Sequence, residues 1–340
     1  MHDRYGITAP VEELVRQRGR AAHVRLAPRG RVRTLHAGGN ASAFRGRGLE
    51  FDESRIYQPG DDLRTIDWRV TARTGRVHTK LFHEERERPV LLVVDQRPDM
   101  RFGTRDAFKS VLAARAAATL AWAARDAGDR VGAFLITGDG CREIAPQRSR
   151  GRLLALLRSL SASTEPATAE TPPGSTSATA PTGLAGSLPE APATSPASRS
   201  SLADALARLQ RVRRPGALVF VLSDFHDLDD DVERELARLA TRGEVGCIFV
   251  YDALEVEAPA SGEYRVSDGR RVLRLWSGDR RWRSEYASSF AHRRERLEAL
   301  CRRRGMAFLS LRTGEDAADV LRADRFARAF GVRSPGRARA

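Results

Sequence analysis

Two aspartates stand at the ends of apolar runs that are typical of buried strands. The run "PVLLVVD" ends at Asp95, and the run "ALVFVLSD" ends at Asp224. If both runs belong to one parallel sheet, the two carboxylates meet at its carboxyl edge, where ligands of such sheets gather. Like charges so close together need a cation or hydrogen bonds to neutralise them. A hard divalent cation with oxygen ligands suits this arrangement.

The residues that follow Asp95 offer two ways to neutralise the pair. Arg97 stands two positions later, and its guanidinium can pair with the carboxylates and take the place of a cation. Asp99 can instead add one more oxygen ligand. The sequence leaves both possibilities open: a loop closed by Arg97, or a bound Mg²⁺ or Mn²⁺.

This layout resembles the von Willebrand factor type A domain. The metal-ion-dependent adhesion site of that family uses D-x-S-x-S after the first strand, a threonine from a middle loop and an aspartate after a later strand. Here the first motif reads Asp95-Gln96-Arg97-Pro98-Asp99, so both serines are replaced. The resemblance implies a degenerate metal site with the following ligands: Asp95, Asp99, Ser200, Ser201 and Asp224.

A second chemically unusual stretch is "GDDLRTIDWRVTART", which runs from residue 60 to residue 74 and groups three aspartates and three arginines around Trp68. It is too charged for a core strand and too aromatic for a linker. Bidentate arginine–carboxylate pairs can order such a segment, and we expect Trp68 and Tyr57 to anchor it. A catalytic dyad of Asp61 and Asp62 is a weaker hypothesis, because adjacent side chains often point apart and no histidine base accompanies them.

Strands that alternate with helices from Pro89 onward predict an α/β fold with a doubly wound, mostly parallel sheet. The predicted strands are 89–95, 130–137, an edge strand 141–147, 217–224, 244–252 and 306–311. The predicted helices are 10–20, 105–127 with Thr104 as N-cap, 148–160, 201–212, 229–242, 279–304 and 316–331. Residues 262–276 predict a hairpin that turns at Asp268-Gly269.

The composition predicts four parts of the chain. Residues 1–88 are a charged, partly β N-terminal segment that packs on the next domain, and residues 89–335 are a type A-like domain. A disordered insertion at 161–200, rich in Ala, Ser, Thr and Pro, interrupts that domain, and 336–340 is a basic tail.

The net charge of +14 comes almost wholly from arginine, because Lys80 and Lys109 are the only lysines. We interpret this basicity as mainly compositional, with nucleic-acid binding as the minority hypothesis. The three cysteines have neither metal-ligand nor redox spacing and are expected to be free thiols. The N-terminus has no apolar signal core, and the apolar run 111–124 is too short for a bilayer. These features predict a cytoplasmic protein, peripheral to the inner membrane only through partners.

The charged stretch extends into "GRGLEFDESRIYQPGDDLRTIDWRVTARTGRVHTKLFHEERERPVLLVVD", which resembles the bacterial domain-of-unknown-function family 58. The resemblance covers nearly the whole folded chain. It implies a network of the following signature residues: Glu50, Arg55, Tyr57, Asp61, Asp62, Arg64, Asp67, Trp68, Thr71, Arg73, Glu84, Glu85 and Arg86. Three features depart from the family: the degraded serine motif, the long insertion and the lack of an N-terminal transmembrane pair.

Three functional hypotheses follow. The family resemblance implies a non-enzymatic adaptor that works with a MoxR-type AAA+ ATPase and with other type A domain proteins. The ATPase itself must be another chain, because this sequence has no Walker motif. A metal-dependent hydrolase using the strand-end aspartates is the second hypothesis. An arginine-rich nucleic-acid-binding protein is the third.

Overall fold

The computed structural model describes residues 6–24, 26, 49–59, 61, 63–84, 88–165, 201–213, 216–257, 259–267 and 272–322. The strands are β1 (Leu49–Ile56), β2 (His78–Glu84), β3 (Pro89–Asp95), β4 (Arg130–Thr137), β5 (Gly140–Gln147), β6 (Leu218–Ser223), β7 (Glu244–Tyr251), β8 (Glu263–Ser267), β9 (Val272–Trp276) and β10 (Ala307–Arg312). The helices are α1 (Val11–Ala21), α2 (Trp68–Thr74), α3 (Lys109–Asp126), α4 (Arg150–Thr164), α5 (Leu202–Val212), α6 (Asp230–Thr241), α7 (Ala253–Val256), α8 (Arg280–Arg304) and α9 (Ala317–Val320). The chain forms two compact units, Met1–Arg29 with Pro89–Ala340, and Gly30–Arg88.

A six-stranded sheet forms the centre of the larger unit. Its strand order is β10-β7-β6-β3-β4-β5. Neighbouring strands are parallel except β5, which returns antiparallel along β4 after a tight turn. The prediction of a mostly parallel α/β sheet with one edge strand is therefore confirmed.

Alternate residues of the central strand enter two separate cores. Val90, Leu92 and Val94 pack with side chains of α1, α3 and α4, whereas Leu91 and Val93 pack with side chains of α5, α6 and α8. Because successive side chains of a strand point to opposite faces, this division shows that helices cover both faces of the sheet. An apolar run without polar alternation is what such a doubly covered strand requires.

The longest apolar run of the sequence forms α3, which is buried over most of its circumference. Its alanines let α1 pack against it, and the Trp122 indole donates a hydrogen bond to the Leu14 carbonyl of α1 at 3.1 Å. Arg115, which interrupts the run, forms an ion pair with Glu13 of α1. The N-terminal helix α1 thus belongs to the unit that holds the large sheet.

Some predicted boundaries need correction. Helix α3 begins at Lys109 and not at residue 105, and Thr104 does not cap it, because its backbone N–H and hydroxyl both donate to the Asp252 carboxylate. Helix α4 continues to Thr164, so the first residues of the predicted insertion are helical. Helix α9 ends at Val320. The rest of the predicted insertion, the hairpin turn at 268–269 and the basic tail lie outside the described residues.

In the smaller unit, β1 and β2 pair antiparallel with one register shift, and α2 lies between them in the chain. Asp67 caps α2, since its carboxylate accepts the N–H groups of Arg69 and Val70. Gly75 ends the helix in the left-handed conformation at φ 68°, which favours glycine. Asp67 at the start and Gly75 at the end therefore fix the bounds of α2 through contacts within the segment itself.

Two further features of the described residues concern membranes and thiols. None of the described helices has both the length and the apolarity needed to cross a bilayer. Cys141, Cys247 and Cys301 are free thiols; the last two are buried and the first is half-buried.

Candidate functional site: a paired-charge edge

The carboxyl edge of the large sheet brings Asp95 and Arg97 together as sequence reasoning allowed. Arg97 donates from Nε to Asp95 Oδ1 at 2.9 Å and from Nη2 to Asp95 Oδ2 at 2.7 Å. The same guanidinium donates from Nη1 and Nη2 to the two carboxylate oxygens of Asp227, at 2.6 and 2.9 Å. Arg97 therefore bridges two carboxylates, and both contacts have the bidentate geometry of strong charge-assisted pairs.

Hydroxyl and backbone groups complete this half of the edge. The Ser223 hydroxyl donates to Asp95 Oδ2 at 2.7 Å, and the N–H of Leu202, in the first turn of α5, donates to Asp227 at 3.3 Å. Ser201 caps α5 by accepting the Asp204 N–H at 3.0 Å. Its hydroxyl thus serves the helix, which is the usual role of a serine at this position.

The predicted ligands are only partly brought together. Asp99 lies in the 3₁₀ helix Pro98–Met100, and its side chain is exposed. Ser200 lies outside the described residues. Asp95 and Asp224 are the predicted ligands that reach the edge as buried carboxylates, at 1% and 2% exposure.

Asp224 has its own cation. The Lys109 ammonium, which is 2% exposed, donates to Asp224 Oδ2 at 2.6 Å and to Glu255 Oε1 at 2.9 Å. Lys109 is the first residue of α3, while Glu255 is in the short helix α7 after β7. The start of α3, helix α7 and the end of β6, which Asp224 follows, therefore meet at one buried amine.

We call the seven residues of these two networks the carboxyl-edge cluster. Its members are Asp95, Arg97, Lys109, Ser223, Asp224, Asp227 and Glu255. Its two buried carboxylates each have a cationic partner, Arg97 for Asp95 and Lys109 for Asp224, which is the condition under which buried charges are tolerated.

Polar contacts surround the cluster. The Arg293 guanidinium of α8 lies 4.0 Å from Glu255 and 2.9 Å from the Nδ1 atom of His226. Asp252 accepts hydrogen bonds from Thr104 and from the Thr313 hydroxyl, which joins the loops after β3, β7 and β10. The whole edge is thus tied together by charged and polar side chains.

Burial and ion pairing shift the pKa values of the cluster in opposite directions. Burial raises the pKa of Asp95, and it outweighs the opposing effects of Arg97 and the Ser223 hydroxyl. At Asp224 burial also acts upward, but the Lys109 ammonium and further hydrogen bonds hold the pKa below its ordinary value. Despite burial, the carboxylates of Asp224 and Glu255 raise the pKa of Lys109. The ammonium is therefore the stable form of this amine.

These residues do not fit a divalent cation. Both oxygens of Asp95 already accept from Arg97, and Lys109 holds Asp224, so a metal ion would have to displace a guanidinium or an ammonium. Within the ranges that the structure covers, no three His, Cys, Asp or Glu side chains are grouped so as to hold a metal. The positive charges that neutralise the carboxylates of this edge come from the side chains of Arg97 and Lys109.

Four members of the cluster were not predicted as site residues from the sequence: Lys109, Ser223, Asp227 and Glu255. Lys109 carried a signal, because it is one of two lysines in a chain that otherwise uses arginine. Asp227 also carried a signal, because it stands three residues after Asp224, in the loop that follows a predicted strand. Glu255 carried none, since its place depends on how α7 meets α3.

The smaller unit shows how the charged segment is held. Arg55 pairs with Asp61 at 2.7 Å, and Asp61 also accepts the Gln58 N–H at 2.9 Å. Asp67 is buried, where it caps α2 and accepts the Ser54 hydroxyl at 2.8 Å. An ion pair and a helix cap thus order this stretch.

The other signature residues differ in how far they are exposed. Trp68 does not anchor the segment as expected, because as the first residue of α2 it points outward and is 70% exposed. Tyr57 is half-buried, and the Thr71 hydroxyl accepts the His78 N–H at 3.0 Å. Arg64 and Arg73 are exposed at their positions. The residues whose side chains are not described are Glu50, Asp62, Glu84, Glu85 and Arg86.

A family model described as "Protein of unknown function DUF58" matches residues 53–296. The chain belongs to this family. The match begins within β1, includes the charged segment and continues through the carboxyl-edge cluster into α8. The resemblance inferred from the signature residues is confirmed.

The DUF58 chain has relatives among mycobacterial proteins. Uncharacterized proteins of Mycobacterium bovis and Mycobacterium tuberculosis are each 32% identical over 290 residues, which cover 85% of this chain and 82% of the relative. A solved structure of the conserved hypothetical protein BatB from Bacteroides thetaiotaomicron is 12% identical at a TM-score of 0.40, covering 71% of this chain and 98% of that one. An aerotolerance-related membrane protein from Bacteroides fragilis is 12% identical at a TM-score of 0.38, covering 72% and 98%. At scores this low, neither structural likeness bears on function.

Proposed function

We propose that this DUF58 chain is a non-enzymatic protein-interaction module with a von Willebrand factor type A-like domain, and that it acts as an adaptor of a MoxR-type AAA+ ATPase. One observation carries the proposal: the strand-end carboxylates are neutralised by the chain's own Arg97 and Lys109. The edge is thereby held in place by charges of the chain itself and needs no metal ion to keep its shape.

The same pairing weighs against a hydrolase at this edge. A metal-dependent hydrolase needs an open coordination position and a positioned base. Asp95 and Asp224 are almost fully buried and accept hydrogen bonds from Arg97, Ser223 and Lys109. Carboxylates held in this way order loops, and they have little freedom to take a proton from a substrate.

The choice of partner is supported by the family resemblance of the charged segment. That resemblance implies a MoxR-type ATPase, and it implies that type A domains bind proteins through this edge of the sheet. A rigid surface favours binding because little conformational entropy remains to be lost on association. Asp99 and His226 lie in the loops after β3 and β6 and are exposed, so a partner can reach them.

Capture from the native host tests the proposal. The tagged full chain is recovered in buffer with Mg²⁺ and in buffer with chelator, and the co-purified AAA+ ATPase is quantified by mass spectrometry. We expect equal capture in both buffers, because the edge carries its own cations. Asp99→Arg is expected to reduce capture about tenfold or more, since it reverses a charge at the proposed interface.

Glu298→Arg is the matched control, because it reverses an exposed charge on α8. It is expected to keep wild-type capture. The proposal is wrong if no AAA+ ATPase is recovered, or if chelator abolishes capture. Divalent-dependent phosphatase activity that requires both Asp95 and Asp224 would instead support the hydrolase hypothesis.

A further inference from the structure

The β8–β9 hairpin presents one face on which arginine and tryptophan are concentrated. In its register Arg265 is opposite Arg274, and Glu263 is opposite Trp276. Because every second side chain of a strand points to the same face, these four residues share one face. All four are exposed, and Trp276 is 66% exposed.

This face carries two arginines and a single carboxylate, Glu263, which lies close to Arg274 and leaves Arg265 without an acid among the four residues of this face. Like charges directly opposite each other in an antiparallel pair are destabilising, and Arg265 and Arg274 are such a pair. A large aromatic side chain left in water adds apolar surface that folding does not bury. Arginine and tryptophan are also among the residues that most often dominate binding at protein interfaces. The combination indicates a surface completed by a partner that brings negative charge and an apolar group.

Trp276 is exposed but held in place. The next residue, Ser277, is buried; its hydroxyl donates to the Ala260 carbonyl and accepts the Gly262 N–H at 3.1 Å. Its own N–H donates to the Gly262 carbonyl at 3.0 Å. At Gly278 any Cβ would lie 2.5 Å from the Trp276 Nε1 atom, so the ring rests directly on the glycine backbone. An anchor fixed before binding loses less entropy when it binds.

We propose that this hairpin face docks an acidic segment of a partner protein, with carboxylates on Arg265 and Arg274 and an apolar side chain on Trp276. Glu263 lies on the same face, and its Oε1 atom is 3.4 Å from Arg274. A peptide can place a neutral residue beside that carboxylate, whereas a nucleic acid carries a phosphate at every unit. The face therefore suits a peptide better than a polyphosphate chain. The inference goes beyond the proposed function and does not rest on it, because no member of the carboxyl-edge cluster belongs to the hairpin.

Fluorescence anisotropy on the full chain tests this proposal. The probe is a labelled glutamate-rich peptide with one central leucine, compared with its glutamine counterpart and with labelled oligothymidylate. We expect the glutamate peptide to bind, and Trp276→Ala to weaken it about tenfold or more. The double variant Arg265→Gln/Arg274→Gln is expected to weaken binding and to reduce its dependence on salt.

Two controls separate the hairpin from general basicity and from the edge. Arg234→Gln removes an exposed arginine of α6, and it is expected to leave peptide affinity within about twofold. Asp99→Arg is likewise expected to leave peptide binding intact while it reduces capture of the ATPase. Circular dichroism on each variant checks that the fold is retained.

The proposal is overturned by any of three results. The first is no binding of the glutamate peptide, or equal binding of the glutamine peptide. The second is unchanged affinity in Trp276→Ala and in the double arginine variant. The third is tighter binding of oligothymidylate than of the acidic peptide, lost in the same variants, which would assign the face to nucleic acid.

Discussion

A single guanidinium connects two parts of the chain that lie far apart in sequence. Arg97 follows β3, whereas Asp227 follows β6, and the two are joined by a bidentate pair. Asp95 is 1% exposed, so without Arg97 its charge would be buried with only hydroxyl and backbone donors. The loss of one partner from a buried pair leaves an uncompensated charge.

Arg97→Met therefore removes the cation but keeps most of the volume. We expect the free energy of unfolding, measured by urea denaturation, to fall by about 3–5 kcal/mol. Arg208→Met, at an exposed position of α5, is the matched control and should stay within about 0.5 kcal/mol of wild type. The double variant Asp95→Asn/Arg97→Met should recover part of the loss. A single variant as stable as wild type would refute this reading of Arg97.

At the scale of elements, the strands could be predicted and the contacts between helices could not. Uninterrupted apolar runs of strand length identify β3, β6 and β7, and the acids after them place two carboxylates at one edge. Thr104 has the composition of an N-cap, but tertiary contact with Asp252 overrides that preference. The prediction that Trp68 anchors the charged segment is wrong, since the side chain is 70% exposed. Its exposure depends on which face α2 turns inward, and a helix of seven residues carries too little periodicity to show this.

Helix α3 illustrates packing that depends on small side chains. Ala117 is fully buried near the middle of this helix. A larger residue has no space there, because protein cores are close to crystal density. Ala117→Leu is expected to lower the free energy of unfolding by about 1–3 kcal/mol in urea denaturation. Ala291→Leu makes the same change at an exposed position of α8 and should cost less than about 0.5 kcal/mol. Equal effects of the two variants would mean that α3 is not tightly packed.

At the scale of the whole molecule, the paired carboxylates give stability a dependence on pH. The pKa values of Asp224, Asp227 and Asp252 are lower than their ordinary values, because Lys109, Arg97 and local hydrogen bonds outweigh burial. In acid the unfolded chain therefore takes up protons at these groups before the folded chain does. Each such carboxyl contributes fully to the free energy of unfolding above its pKa in the unfolded chain. This contribution is lost as pH falls through its pKa in the folded chain.

We accordingly expect the free energy of unfolding to decrease as pH falls from about 5 to about 3, across the ordinary pKa of aspartate. Asp95 acts in the opposite sense, since its pKa is raised, and it offsets part of the decrease. Urea denaturation across this range measures the slope. Asp224→Asn should flatten the slope, because it removes one carboxyl whose pKa is lowered in the folded chain. A wild-type stability that is constant or rises toward pH 3 would contradict the prediction.

The buried lysine also gives the molecule an internal reporter. Primary amines react with acylating reagents only when they are deprotonated and accessible, and Lys109 is neither, because it is 2% exposed and its pKa is raised. Its acylation must therefore wait for the edge to open. The other lysine is Lys80, so mass spectrometry has few amines to distinguish. The rate at which Lys109 becomes labelled in the native protein would measure how often α3 separates from α7 and from the end of β6. This measurement needs no engineered probe.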